Sequence, residues 1–188
     1  MSSENLKRGR TVHFDDPEQT ELNTKTKVRS LNRTRTNDFT CPVYYQGKTF
    51  HFQLSNIFQY TSYAVLFFCQ YDFSAQSKGD LSHIEENYSK FIQLGALPIV
   101  ITHDQPHIHE VYATIGRTTG SLTFTPSFVL ASDSVSRLIS VSFKSIDMDT
   151  LDMIRSVVII DSDLNIVYTH RVQPQRFFPM KSILNCFE

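Results

Sequence analysis

Short apolar runs alternate with longer amphipathic stretches from Phe39 to the end of the chain, whereas the first 37 residues carry few large apolar side chains. Tyr63-Ala-Val-Leu-Phe-Phe68 is continuously apolar, the pattern of a strand covered on both faces. Leu97–Ile101 and Val157–Ile160 repeat it. Thr49-Phe-His-Phe-Gln53 alternates instead, with Gln46-Gly47 before it as a turn, and predicts part of a hairpin. Asn165–His170 predicts an outer strand, joined to the preceding one through a short turn at Ser162-Asp163.

Helical stripes lie between these runs. Leu81, Ile84, Tyr88, Phe91 and Ile92 recur at helical spacing and stop at Gly95. Ser82 and Glu85 have the spacing of a capping box and place the start of this helix near them. Ile108, Val111, Tyr112 and Ile115 form a second stripe, with Asp104 and Pro106 marking its first turn. Val135, Leu138 and Ile139 suggest a third helix; Met180, Ile183, Leu184 and Phe187, following Pro179, suggest a last one. Strands alternating with helices predict an α/β fold, a central sheet with helices on both faces.

Composition narrows the reading. A chain of 188 residues with 40% hydrophobic content can build one real core. The formal net charge of -1 supplies no general attraction to nucleic acid or membrane. No run reaches the roughly 18 apolar residues of a membrane span, and the start lacks the apolar run of a signal peptide. Charge is uneven, however. Residues 1–37 hold eight lysines and arginines against five acids. Polar and basic, this segment cannot bury enough surface to offset its ordering entropy, so the expected organisation is a flexible basic arm, 1–37, and a folded domain, 38–188. The three cysteines, Cys41, Cys69 and Cys186, are too few and too scattered for a disulfide framework and fit a reducing compartment, the cytoplasm or, given the basic residues at 25–35, the nucleus.

The stretch Leu66-Phe-Phe-Cys-Gln-Tyr-Asp-Phe-Ser-Ala-Gln-Ser77 resembles the active-site segment of peroxiredoxins, Leu-Phe-Phe-Tyr-Pro-Leu-Asp-Phe-Thr-Phe-Val-Cys. Further matches follow in the same order. Phe91-Ile-Gln-Leu-Gly95 resembles the end of the first long helix of that family. Asp104-Gln-Pro-His-Ile-His-Glu-Val-Tyr112 is similar to its Asp-Ser-x-x-x-His-x-x-Trp segment, with Asp104 and His109 kept and Tyr112 in place of Trp. Arg117 and Gly120 fit the loop that follows, and Arg155-Ser-Val-Val-Ile-Ile-Asp161 resembles Arg-Gly-Leu-Phe-Ile-Ile-Asp. The resemblance, to peroxiredoxins of the typical two-cysteine type, implies a thioredoxin-like fold over roughly 39–187, closing with strand, turn, strand and helix.

The resemblance also says what is changed. Members of the family reduce peroxides with a thiolate at the start of the first long helix, lowered in pKa by the helix dipole and an arginine. Here the Pro-x-x-x-Thr-x-x-Cys positions hold Gln70, Ser74 and Ser77, and Lys78 stands for the following Pro; the second active-site arginine corresponds to Arg155. A serine hydroxyl is far too weak an acid to replace the thiolate and has no sulfenic state. The C-terminal arm with the resolving cysteine is also expected to be missing. The reading is a catalytically degenerate peroxiredoxin-like protein acting through protein binding, with no catalytic residue and no cofactor expected. A residual anion pocket of Ser74, Ser77, Arg155 and the helix N-terminus is a further option.

The alternative is a thiol peroxidase or redox sensor, with antioxidant activity carried by a non-standard cysteine such as Cys69, at the end of the buried strand; Cys41 is expected near the domain edge. His103, His107 and His109 cluster in sequence, but His107 and His109, two residues apart on a helix, point in different directions, and no metal site is expected. In the arm, Arg10-Thr-Val-His-Phe14 fits the short docking motif of protein phosphatase 1, with Arg10 as the basic residue and Val12 and Phe14 as the pocket-filling pair. The outer strand, through Ile166, Tyr168 and His170, is where the family's edge-to-edge pairing implies a homodimer or a heterodimer with a peroxiredoxin. Membrane partners are not expected, and nucleic acid is disfavoured because no aromatic residues interleave the basic ones.

Overall fold

The computed structural model describes residues 34–187. Seven strands form one mixed sheet: β1 (Thr40–Tyr45), β2 (Lys48–Gln53), β3 (Tyr63–Phe68), β4 (Ala96–Thr102), β5 (Val129–Ser132), β6 (Ser156–Asp161) and β7 (Ile166–Arg171), in the order β2-β1-β5-β4-β3-β6-β7. The three central strands β3, β4 and β5 are parallel; the remaining pairings are antiparallel. The continuously apolar runs take the middle because both faces are covered there. Along β3, Val65 and Phe67 enter the core on one face, and Ala64, Leu66 and Phe68 the core on the other.

Helices α1 (Ala75–Gln93), α2 (Pro106–Ala113) and α4 (Met180–Leu184) pack on the first face, through residues such as Leu81, Tyr112 and Ile183. The second face is covered by α3 (Leu138–Ser142) and by a 3-10 segment, Leu54–Gln59. The Gln46-Gly47 turn joins β1 to β2 as expected, with both residues at positive φ.

Several local expectations are corrected. Helix α1 begins seven residues before Ser82: Ser74 is its N-cap, and the Ser74 hydroxyl accepts from the Ser77 N–H at 3.1 Å. Ser82 lies inside the helix, donating to the Lys78 carbonyl, and Glu85 reaches across to Ser127. The stripe reading missed this turn because it is polar. In α2 the buried face is His109, Tyr112 and Ala113 rather than Ile108 and Val111, and Ile115 lies exposed beyond the helix. Asp104 does not cap α2; Gln105 holds that position, and the Asp104 carboxylate accepts instead from the Asp72 N–H. Val135 precedes α3 and is 94% exposed. Strand β5 and the 3-10 segment had no recognised sequence signal.

The domain also starts earlier than residue 38. The Thr36 N–H donates to the Leu164 carbonyl, and the Ile166 N–H donates to Thr34, with Arg35 bridging Asn165. Residues 34–36 therefore pair with the start of β7.

Candidate active-site region

The loop from Cys69 to Ser74 leaves the C-terminal end of β3 and turns into α1. Phe73 adopts φ +63°, a strained value for a large side chain. Its ring packs on Tyr112 with centroids 4.7 Å apart and stands where a side chain on Gly120 would collide, 2.9 Å from the Cβ position. Gln70 is exposed, and Ser74 spends its hydroxyl on the helix cap. Ser77, in the first turn of α1, is completely buried. Its hydroxyl and that of Tyr112 make no well-formed hydrogen bond among the described residues. Burial pushes the Tyr112 phenol up to about 12, and the Ser77 hydroxyl beside it works in the other direction.

Three residues on from Ser77, on the same face of the helix, Asp80 meets Arg155. The guanidinium grips both carboxylate oxygens, Nε to Oδ2 at 2.8 Å and Nη2 to Oδ1 at 2.5 Å, with both side chains buried. Burial pushes the Asp80 carboxyl up more than the guanidinium pulls it down. Arg155 also donates to the carbonyls of Arg176 and Gln173, at 2.8 and 3.4 Å, and faces the Phe178 ring at 5.2 Å. It ties α1, β6 and the segment before α4 together.

This arrangement does not favour the optional anion pocket. The cation is already paired, and the Ser77 N–H is already capped by Ser74. A second buried pair lies alongside: His109 Nδ1 is 2.7 Å from Asp72 Oδ2, both side chains fully covered. His109 Nε2 has no hydrogen-bond partner among the described residues and does not reach the Ser77 hydroxyl, so Asp72, His109 and Ser77 do not make a hydrolytic triad. Asp72 and Asp80 had not been singled out from the sequence. No local signal pairs Asp80 with Arg155, 75 positions further along the chain.

The cysteines are free and far from thiolate character. Burial pushes the Cys69 thiol well up, with Asp80 and Asp72 adding to it and Arg155 opposing. Cys41, expected near the exposed domain edge, is buried in β1, and burial with Asp133 raises it to about 12. Cys186 is exposed and donates to the Ser182 carbonyl.

The three histidines part company. His107 is exposed, His109 pairs with Asp72, and His103 bonds Ser140 at 3.1 Å on the far side of the sheet. No group of three potential metal ligands exists among the described residues. Ser140 in turn donates to Asp133 at 2.5 Å, so His103 Nε2–H is the donor to Ser140, and its buried Nδ1 has no partner among the described residues. Burial, helped by Arg137, lowers the His103 pKa against the pull of Asp133 and Asp152. Its unfolded form therefore takes up a proton first. The associated stability is intact above the ordinary histidine value of about 6.5 and is lost as pH falls from there through the folded value. Denaturant midpoints measured between pH 8 and 5 should fall, and His103→Gln should flatten that fall; an unchanged slope would contradict it.

Strand β7 is an edge of the sheet, as expected. Tyr168 and His170 stack with rings 17° apart, but the Ile166 N–H is already taken by Thr34. A register shift at Ile159/Ile160 inserts Val167 as an extra residue. Arg10, Val12 and Phe14 lie outside the described residues. No helix among the described residues is long and apolar enough to cross a membrane.

Comparison with known proteins agrees with this fold. The backbone superposes on reduced 2-Cys peroxiredoxin from Plasmodium vivax with a TM-score of 0.72 and 15% identity, covering 82% of this chain and 79% of that one. The mitochondrial 2-Cys peroxiredoxin of Plasmodium falciparum gives 0.72 and 15%, with 84% and 92% covered. AhpC of Enterococcus faecalis gives 0.72 and 17%, with 84% and 90% covered. No curated protein sequence matches significantly. At these identities the superpositions speak for the fold, a thioredoxin-like domain of peroxiredoxin type. Residues 33–169, most of the chain, match the AhpC/TSA family by sequence, and with the collinear segments around Ser77, His109 and Arg155 this places the chain in the AhpC/TSA family.

Proposed function

We propose that this peroxiredoxin-type protein performs no peroxide chemistry at the usual position and acts by binding other proteins. The observation that carries the reading is Ser77, which stands where the resemblance puts the reacting thiol and is fully buried against Tyr112. A hydroxyl there supplies neither a thiolate nor a sulfenic acid. The alternative of a relocated thiol finds no support in Cys69, whose burial keeps it protonated.

The binding side of the proposal has two parts. Pairing of β7 with a second copy, or with a peroxiredoxin, would use Val167–Arg171, with Tyr168 and His170 near its centre; the start of the strand is occupied by Thr34. Sedimentation showing only monomer at micromolar concentration would remove that part. The motif of Arg10, Val12 and Phe14 would dock protein phosphatase 1 by strand addition. Equal phosphatase recovery by wild type and by a Val12→Ala, Phe14→Ala variant would remove the other.

The deciding assay is peroxide consumption by the purified chain with a thioredoxin recycling system, with mass spectrometry of the three cysteines. The expected result is no turnover and no oxidised cysteine at low peroxide. Turnover abolished by Cys69→Ser would establish the thiol peroxidase instead.

A further inference from the structure

Five buried side-chain atoms with no hydrogen-bond partner among the described residues share one side of the sheet: Asp72 Oδ1, Ser77 Oγ, His109 Nε2, Tyr112 OH and Ser132 Oγ. Asp72 follows β3, Ser77 lies in the first turn of α1, and His109 and Tyr112 sit one turn apart on the buried face of α2. Ser132 ends β5. Alternation along that strand puts Ser132 on the face of Leu130, which joins the same core as Tyr112, and α2 lies over β5. The five atoms thus belong to the carboxyl ends of the parallel strands and the helices above them, the end of an α/β sheet where ligands are taken up.

Burial is complete or nearly so. Ser77, His109 and Tyr112 are 0% exposed, Ser132 is 2% exposed, and the Asp72 side chain is fully covered. Native interiors leave few polar atoms unmet, because each costs about as much as a lost hydrogen bond. Neighbouring polar side chains are committed elsewhere: Arg155 to Asp80, and Thr102 to Asp104. The Tyr112 phenol senses both the Ser77 hydroxyl and the Asp72 charge, which puts those three groups together. His109 is arranged differently. Its Nδ1 faces Asp72 Oδ2 at 2.7 Å, so that nitrogen carries the proton and Nε2, on the opposite edge of the ring, is turned away from Asp72. One small molecule therefore cannot serve both Asp72 Oδ1 and His109 Nε2.

We propose that two internal waters complete this interior, one bridging Asp72 Oδ1 to the Ser77 and Tyr112 hydroxyls, the other bridging His109 Nε2 to the Ser132 hydroxyl. A water offers two donors and two acceptors, and each place supplies the two or three polar partners that an internal water requires. Carboxylate oxygen and imidazole nitrogen take a proton from the water, and the hydroxyls turn to suit. A metal ion fits less well, since no group of three potential ligands exists among the described residues. The two waters flank the His109–Asp72 pair and join α1, α2 and β5 through it. The assignment goes beyond the binding role proposed above and is independent of phosphatase docking and of pairing at β7.

The test counts slowly exchanging internal waters in the full chain by oxygen-17 relaxation dispersion of the solvent. The Ser77→Ala, Tyr112→Phe double variant should lose the amplitude of one water, Ser132→Ala that of one, and the triple variant that of two. Melting temperature is the second readout. Deleting an orphaned buried hydroxyl relieves the fold, whereas deleting a water-bonded one removes a hydrogen bond, so Tyr112→Phe and Ser132→Ala should each melt lower than wild type. Undiminished amplitude in either the double variant or Ser132→Ala, or a melting temperature unchanged or raised in Tyr112→Phe or Ser132→Ala, would overturn the proposal. If a variant does not fold, a high-resolution crystal structure of the wild type decides. A water within about 3.2 Å of the named atoms is expected at both places, and a dry site at either would overturn it.

Discussion

Arg155→Ala should lower the unfolding free energy by about 3–5 kcal/mol, read as a drop in the denaturant midpoint with little change in slope. For a domain with a typical total of about 5–15 kcal/mol, that is a large share. Three losses combine. The buried Asp80 carboxylate loses two N–H donors at 2.8 and 2.5 Å, the carbonyls of Arg176 and Gln173 lose theirs, and the Phe178 ring loses the cation on its face. The pair itself is not a source of great stability, since burial already raises Asp80 despite its partner. What costs most is leaving one half behind. Two consequences separate this account from simple loss of packing. First, Asp80 in the variant can relieve its isolation by taking up a proton. Its raised folded pKa makes that relief complete at low pH and lost as pH rises through it, so the deficit relative to wild type should be smaller at pH 5 than at pH 8. Second, Arg155→Leu combined with Asp80→Leu should be less destabilised than Arg155→Leu alone. A deficit independent of pH, with a double variant no better than the single, would refute the account.

Ser77→Cys should not restore peroxide turnover, and the new thiol should be slow to alkylate, roughly a hundredfold slower than exposed Cys186 at neutral pH, because it reacts only through local opening. Peroxiredoxin chemistry needs a thiolate that solvent and peroxide can reach. Position 77 is fully buried, faces Tyr112, and lies one turn from Asp80, whose charge already occupies Arg155. The helix N-terminus favours an anion there, but Ser74 has satisfied the N–H of residue 77 itself. Desolvation and the nearby carboxylates act the other way, as they do on neighbouring Cys69. The measurement is the iodoacetamide rate against pH, with the unfolded protein as the control for total thiol. Rapid alkylation below pH 7, or peroxide consumption, would show that the pocket still activates a thiol and that one side chain alone separates this chain from an active peroxidase.

How far the sequence could be read follows from how local each signal was. The buried strands β3, β4 and β6 were legible because a strand covered on both faces must be apolar throughout, whatever its neighbours. The start of α1 was not. Its first turn, Ala75-Gln-Ser-Lys78, has no apolar stripe, and its cap became evident only with the Ser74–Ser77 hydrogen bond in view. Strand β5 is four residues long, too short for a periodic signal, and is held by β4 and β1 on either side. Val135 and Leu138 look like core residues in sequence; the short loop after β5 leaves them on the lip of a groove instead.

The amino-acid order by itself determined the α/β class, the family resemblance, the serine at position 77 and the edge character of the last strand, since each rests on residue identity or on a period within a few positions. The tertiary structure alone decided what those residues do to one another. Arg155 and Asp80 are 75 positions apart, as His109 and Asp72 are 37, and no local pattern announces which buried acid a buried base will meet. Long-range packing also turned Ser77 from a candidate site into a core residue, tied Thr34 to the start of β7, and brought two acids distant in sequence, Asp38 and Asp133, to one groove. Burial, charge and unmet hydrogen bonds are properties of neighbours in space, and only the folded chain assigns those neighbours.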